Sequence, residues 1–289
     1  MRGNFARLVR RWELAVNYHR ENVGPFSSAD RILAARIERA DALNAEKMAR
    51  LAAEAFPHSS FISIAGGTAM FTGLGSPMTH AMCIGMNGAV SLEELERLEN
   101  FYRERGSSCL IDLCPMAHDS VIAFVQNRPY RVVEFNNVLV RGVSPEDSFT
   151  ADDSIRCVGP QEKALWARTI TEGFSEYIPV TDDQVQFMAT ISSDAFCLLG
   201  TDPTGSVAGG AGLAVQDGTA LFIGDAVLPS FRRKGWQTRL IRERLATCQS
   251  NGCNLATASV LPGSGSHRNY ERAGFQLIYM RVNLSREFV

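Results

Sequence analysis

Apolar residues recur at helical spacing from Asp30 to Phe56, "DRILAARIERADALNAEKMARLAAEAF", which predicts one long amphipathic helix. Short strand-like runs follow: "SFISIAGG", "TAMFTG" and "HAMCIGM". In "SLEELERLENFYRERG" the period returns to helical. Ser91 and Glu94 form a capping box at its start, Leu92, Leu95, Leu98 and Tyr102 share one face, and Gly106 closes it. Strand "SCLIDLCP", helix "HDSVIAFVQNR" and strand "RVVEFNNVLVR" complete this half. The polar, aperiodic stretch "GVSPEDSFTADD" reads as a linker, so domains are expected at 1–145 and 152–289. The rest reads as strand "SIRCVG", helix "EKALWARTITEGF", a helix near 183–192, strands "AFCLLG", "VAGGAGLAV" and "TALFIGDAVL", a helix from Trp236, strand "CNLATASVL", helix "HRNYERAG" and strand "FQLIYMRVNL". The fold class is mixed α/β, two twisted mixed sheets flanked by helices.

The two halves echo each other. Each runs strand, helix, strand, short helix, strand, and an aromatic, Tyr130 or Phe275, opens the last strand. They differ where the first of these strands becomes a helix. The first half enters through "NGAVSLEE", which is acidic; the second enters through Arg232-Arg233-Lys234-Gly235. A helix start has amide groups without internal partners and favours an anion, and Gly235 leaves room for a close approach. The plain alternative is a solvated basic helix start.

Composition sharpens this. The chain has 289 residues, 45% apolar and 21% charged, with net charge −2, so a broad nucleic-acid-binding field is not expected and a local anion site is. Seven Cys stand without metal-ligand spacing, which reads as reduced thiols in a cytoplasmic protein with no metal. No run is long and apolar enough to span a bilayer, and the Arg-rich start "MRGNFARLVRRWELAV" reads as a solvated first helix. "AGGAG" at Ala208 to Gly212 lies inside a strand pattern and reads as a close-packed or bulged strand. His118 and His267 stand at helix starts, where His commonly caps.

Val227-Leu228-Pro229 followed by Arg232-Arg233-Lys234-Gly235-Trp236-Gln237 resembles motif A of the GNAT N-acetyltransferase superfamily, V-x-P then [QR]-x-x-G-x-[GA], with Gln237 departing from Gly or Ala. "NYERAGF", Asn269 to Phe275, resembles the family's Y-E-K-L-G-F segment and puts Tyr270 on its Tyr position. The resemblance covers about residues 154–284; the first half resembles a degenerate copy without motif A, as in tandem members.

The resemblance implies acetyl-CoA, or another acyl-CoA, lying between two splayed parallel strands, "LFIGDAVL" and "NLATASVL". Its pantetheine arm would pair with Ala226, Val227 and Leu228, and its diphosphate would sit at Arg232, Arg233, Lys234, Gly235, Trp236, Gln237 and Thr238. Ser264, Ser266 and Asn269 would add polar contacts, or serve only as loop and cap. A small-molecule amine would attack the thioester directly, with Asp225 as base, directly or through water, and Tyr270 as donor to the leaving thiolate. Their structural alternatives are an ion pair for Asp225 and packing for Tyr270. No nucleic acid, no membrane, and a monomer or homodimer are expected. A protein that binds acyl-CoA without turnover is the alternative reading.

Overall fold

The computed structural model describes residues 30–148, 152–175 and 178–288. The expected first helix in residues 1–16 and the centre of the expected linker, 149–151, lie outside these residues. Helix α1 (Arg31–Ala55) starts at Asp30, whose carboxylate accepts from the amides of Ile32 and Leu33. Strands β1 (Ser60–Ile64), β2 (Gly67–Phe71) and β3 (His80–Met82), helix α2 (Leu92–Arg103), β4 (Cys109–Leu113), α3 (Asp119–Gln126) and β5 (Arg131–Gly142) complete the first half. The second half is β6 (Ile155–Cys157), α4 (Lys163–Ser175), α5 (Asp182–Ile191), β7 (Phe196–Thr201), β8 (Val207–Gln216), β9 (Thr219–Val227), α6 (Trp236–Ser250), β10 (Leu255–Val260), α7 (Gly265–Arg272) and β11 (Gln276–Arg286). No helix among the described residues is long and apolar enough to cross a membrane.

The sequence predicts two sheets; the strands form one, in the order β1-β2-β3-β4-β11-β5-β10-β9-β8-β7-β6. The final strand of each half has crossed over. β5 pairs antiparallel with β10 of the second half, from Leu255–Gly142 to Val260–Asn137. β11 pairs antiparallel with β4 of the first half, from Val282–Leu113 to Arg286–Cys109. The two exchanged strands pair with each other at the centre.

Helix α1 lies across both halves. Its buried face carries Ala34, Ala40, Ala45, Ala49 and Ala52, small side chains that let its backbone approach the sheet closely. Ala40 packs with Leu221 and Ile223 of β9, and Arg36 donates to Thr219 Oγ1 (2.9 Å) and the Gly218 carbonyl (3.1 Å). The capping box of α2 forms as expected: the Glu94 amide donates to Ser91 Oγ, and the Ser91 amide to the Glu94 carboxylate.

Beyond the linker, Asp152 receives two bonds from Arg239 of α6, at 2.7 and 2.8 Å. These bonds hold its carboxyl well below the usual carboxylate range. A carboxylate whose pKa is lowered on folding stabilises the fold above its unfolded pKa, about 3.9, and loses that contribution as pH falls toward the folded value. Asp152→Asn is therefore expected to flatten the decline of unfolding free energy below about pH 4, measured by urea titration at stepped pH. An unchanged acid slope would contradict the pairing.

Candidate functional site

β9 and β10 run parallel and pair from Thr219–Leu255 to Phe222–Ala258. There the ladder stops, while β9 continues to Val227 and β10 to Val260. Each strand stays paired on its outer side, β9 with β8 as far as Val227 and β10 with β5 as far as Val260. The sheet therefore opens a gap between two strands, with the inner edge of Ile223 to Val227 unpaired among the described residues. Leu228 is tied to the outer side by its amide bond to the Ala208 carbonyl (3.0 Å).

A bulge sets which side chains face which side of this gap. Gly210 pairs with Ala226 and Gly212 with Ile223, so Gly224 and Asp225 together oppose Ala211. Gly224 takes φ +59°, open to glycine at little cost. The freed Ala211 carbonyl accepts from Trp166 Nε1 at 3.0 Å. "AGGAG" is thus part of a bulged, close-packed ladder, as expected: a Cβ on Gly209 would stand 2.5 Å from the Ala226 carbonyl oxygen and one on Gly212 2.8 Å from Ile223. The extra residue shifts Asp225 onto the α6 face, beside Phe222, where it meets Arg244 and Tyr270.

These three groups form one network. Arg244 of α6 is fully buried, Tyr270 of α7 is 1% exposed, and the Asp225 side chain is 13% exposed. Arg244 ion-pairs with Asp225 Oδ1, and the Tyr270 hydroxyl donates to Oδ2. Arg244 also donates to the Tyr270 hydroxyl (3.3 Å), the Gly212 carbonyl (3.3 Å) and the Leu240 carbonyl (3.2 Å), and lies 4.3 Å from the Phe222 ring centroid. Burial works against the Arg244 charge, but Asp225 and Tyr270 outweigh it and raise its pKa. Burial, with Asp225 adding to it against Arg244, holds the Tyr270 phenol well above the ordinary tyrosine range. Tyr270 also packs edge-on against Phe275 (5.0 Å) and Phe222 (6.2 Å).

This arrangement bears on the expectation for Asp225. Its Oδ1 meets Arg244 and its Oδ2 accepts from Tyr270, the ion-pair alternative, which places it to orient Tyr270. Arg244 was missed in the sequence. Its signal was present: Leu240, Ile241, Arg244, Leu245 and Cys248 are the buried positions of α6, and an Arg at such spacing needs a buried acid.

After β9, Pro229–Phe231 makes a short 3-10 turn and Gly235 begins α6. Gly235 takes φ +83° and Arg233 φ +62°, so the turn reverses twice to point successive amides one way. No side chain caps α6, in contrast to α2. The amides of Trp236, Gln237 and Thr238 face outward at a helix start with basic neighbours, the condition that suits an anion. Lys234 Nζ lies 5.2 Å from the Phe231 ring centroid, and Arg239 lies 4.4 Å from that of Trp236. Arg232 departs from the expected anion contact: its guanidinium donates to the carbonyls of Val227 and Gly173, both at 3.2 Å, clipping α4 to the end of β9.

The departure at Gln237 has a structural counterpart. Its amide nitrogen donates to Ser266 Oγ (2.8 Å) and its oxygen accepts from Asn269 Nδ2 (2.7 Å). Gln237, Ser266 and Asn269 thus form a clasp joining the starts of α6 and α7. Ser264 caps α7 by accepting from the His267 amide (3.0 Å). His118 accepts from the Ser120 amide and His267 from the Gly263 amide, so both act as local caps. Burial pushes the Cys83, Cys109 and Cys114 thiols up to about 12, which leaves them protonated and poor nucleophiles.

Residues 164–275, which contain the bulge, the open gap, the basic turn and Tyr270, match the model of the acetyltransferase (GNAT) family. They are a GNAT acetyltransferase domain. The chain also shares its fold with solved GNAT structures. A GCN5-related N-acetyltransferase from Kribbella flavida aligns over 83% of this chain and 96% of its own, at 16% identity and TM-score 0.58. A tandem GNAT protein from the clavulanic acid biosynthesis pathway, solved without AcCoA, aligns over 91% and 97%, at 13% identity and TM-score 0.55. A GCN5-related N-acetyltransferase from Sphaerobacter thermophilus aligns over 63% of this chain, at 19% identity and TM-score 0.51, and this chain spans 60% of that protein. At these identities the likeness is one of fold. No curated protein matches the chain. The alignment with the tandem GNAT structure extends over the first half as a likeness of fold, and there α2 is capped by Ser91 with acidic residues in its first turn, where residues 164–275 have the basic turn.

Proposed function

We propose that the protein is an acyl-CoA-dependent N-acyltransferase, acetyl-CoA being the default donor, acting on an amine of a small molecule or amino acid derivative. The observation that carries this is the end of the β9–β10 ladder at Phe222–Ala258, directly before the uncapped turn at Gly235. The residues fit the group. The amides of Gly235 to Thr238 would hold the diphosphate, helped by Arg233 and Lys234. The unpaired edge of Ile223 to Val227 would take the amides of the pantetheine arm as a missing strand neighbour. The Gln237–Ser266–Asn269 clasp would border the arm from the α7 side.

When bound, the acyl-CoA supplies an activated thioester carbonyl. Transfer to a neutral amine would form a C–N bond, break the thioester C–S bond and release coenzyme A as the thiol, the amine's proton passing to water. Tyr270 is held in its protonated form and would be the proton donor to the departing sulfur, a role that depends on Arg244 because burial makes the phenol a weaker acid. Arg244, already on the hydroxyl, would stabilise the negative charge left on the phenol until a proton returns from solvent. Asp225 orients Tyr270 throughout.

Thermal shift with acetyl-CoA and coenzyme A, followed by thiol release against an amine panel, tests the reading. A rise in Tm of several degrees with either ligand, and release that requires an amine, are expected. No shift at millimolar ligand overturns it. A shift without release on any amine would favour the binding protein that does not turn over, the reading to which the clasp at Gln237 lends support.

A further inference from the structure

The gap between β9 and β10 has two mouths. The α6 face carries the amides and basic residues described above. On the opposite face α1 crosses the gap. Its Ala40 rests on Leu221 and Ile223 of β9, and one position on, Asp41 ion-pairs with Arg281 of β11. Arg281 in turn donates to Ser259 of β10 (3.3 Å). Ser259 is the first β10 residue beyond the last paired position, and it is exposed. A thioester threaded into the gap from the α6 face would present its carbonyl toward this second mouth.

The charges at this mouth are arranged from inside the protein: two carboxyls meet one guanidinium, burial pushes the Glu38 pKa up, and Asp41 is the one that reaches the surface. Glu38 is fully buried; its Oε1 accepts from Arg281 (2.7 Å) and Tyr279 (2.6 Å), and its Oε2 is buried with no hydrogen-bond partner among the described residues. Glu38 and Asp41 thus share the one guanidinium of Arg281. The Asp41 side chain is 18% exposed, and Arg281 meets its Oδ2, so among the described residues Oδ1 is the oxygen open to a cation from outside. One helical turn along α1, Asn44 lines a cavity of about 130 Å³ that also touches Ile223. Its other walls include Met48, Leu51, Ile191, Phe196 and Ala214, and the Lys47–Asp194 pair (3.1 Å) stands at its rim. A charged contact and an apolar recess therefore lie one turn apart on α1, the recess reaching β9 at Ile223.

We propose that this α1-side mouth is the acceptor site, and that it takes a primary amine bearing an apolar substituent, the ammonium held by Asp41 beside Ser259 and the substituent in the recess lined by Met48 and Phe196. Arg281 and Glu38 are positioning residues that fix Asp41 from behind. The first half thereby supplies part of the acceptor site of the GNAT domain. The inference rests on the acyltransferase reading, but its test does not require turnover.

n-Hexylamine, ethylamine and the uncharged match n-hexanol are titrated calorimetrically into the full chain, with and without coenzyme A. Hexylamine is expected to bind, and hexanol at least tenfold more weakly. Asp41→Asn should weaken hexylamine at least tenfold and leave coenzyme A within about twofold. Met48→Trp, which fills the recess away from the ion pair, should lose hexylamine and spare ethylamine; it carries the test if Asp41→Asn lowers the Tm too far. Equal hexylamine affinity in the wild type and both variants, or no binding to the wild type, overturns the site. Absence of coenzyme A binding would instead count against the acyltransferase reading, and the amine titration on the free protein would still decide this one.

Discussion

Arg244→Met should lower the unfolding free energy by about 3–5 kcal/mol, the usual cost of removing one partner of a buried ion pair. The substitution keeps most of the volume and removes the charge with its N–H donors. It leaves Asp225 in a site with 13% side-chain exposure and no cation, and it strips a donor from the Gly212 and Leu240 carbonyls. At about 2–4 °C per kcal/mol for a chain of this size class, the melting temperature should fall by roughly 6–20 °C. Asp225→Asn in the same chain should recover much of the loss, because the orphaned charge is then gone while Tyr270 keeps an acceptor. A double-mutant cycle by urea unfolding reads the coupling directly. A loss under about 1 kcal/mol for Arg244→Met would show that the three groups do not form a buried unit. The same variant should depress transfer more than acyl-CoA binding, since Arg244 touches the network and not the basic turn.

The second large effect concerns affinity. Charge reversal of both Arg233 and Lys234 to Glu should weaken coenzyme A by about 100-fold, or ~2.7 kcal/mol. Two attractive charges near a diphosphate become two repulsive ones, and the loss should shrink as salt is raised, because both side chains are exposed. Pantetheine, which lacks the diphosphate, should bind both proteins alike; equal loss for the two ligands would place the defect elsewhere. Arg233→Gly separates charge from backbone. Arg233 sits at φ +62°, a conformation that costs an L-residue roughly 1–2 kcal/mol, so the glycine variant should be more stable and yet bind coenzyme A less tightly.

Local chemistry carried most of the elements into view. The capping box at Ser91, the long helix after Asp30 and the turn before Gly235 depend on neighbours in sequence, and each appears where the spacing puts it. The GNAT motif drew attention to Tyr270, Asp225, Gln237, Ser266 and Asn269, but not to how they bond. Gln237 reaching Ser266 and Asn269, and Asp225 turning toward Arg244, depend on where α7 meets α6 and on a bulge that shifts one strand by a residue. The partner of a strand is still less visible. The alternation of Arg131 to Gly142 is the same whether its neighbour is β4 or β10, so the pattern predicts a strand and is silent on which edge it joins. Arg281 reads as one polar residue in a strand; only the crossing of α1 over the sheet brings Glu38 and Asp41 to it.

The crossing of β5 and β11 bears on how this molecule can be cut. A fragment ending near residue 145 would have β4 looking for a neighbour, and one starting at residue 152 would leave the full length of β10 as a raw edge. Raw edges of this kind invite pairing with other chains, so separately expressed pieces should clump, whereas the two made together should reassemble into a working whole. The last strand of each half serves as the other's missing wall.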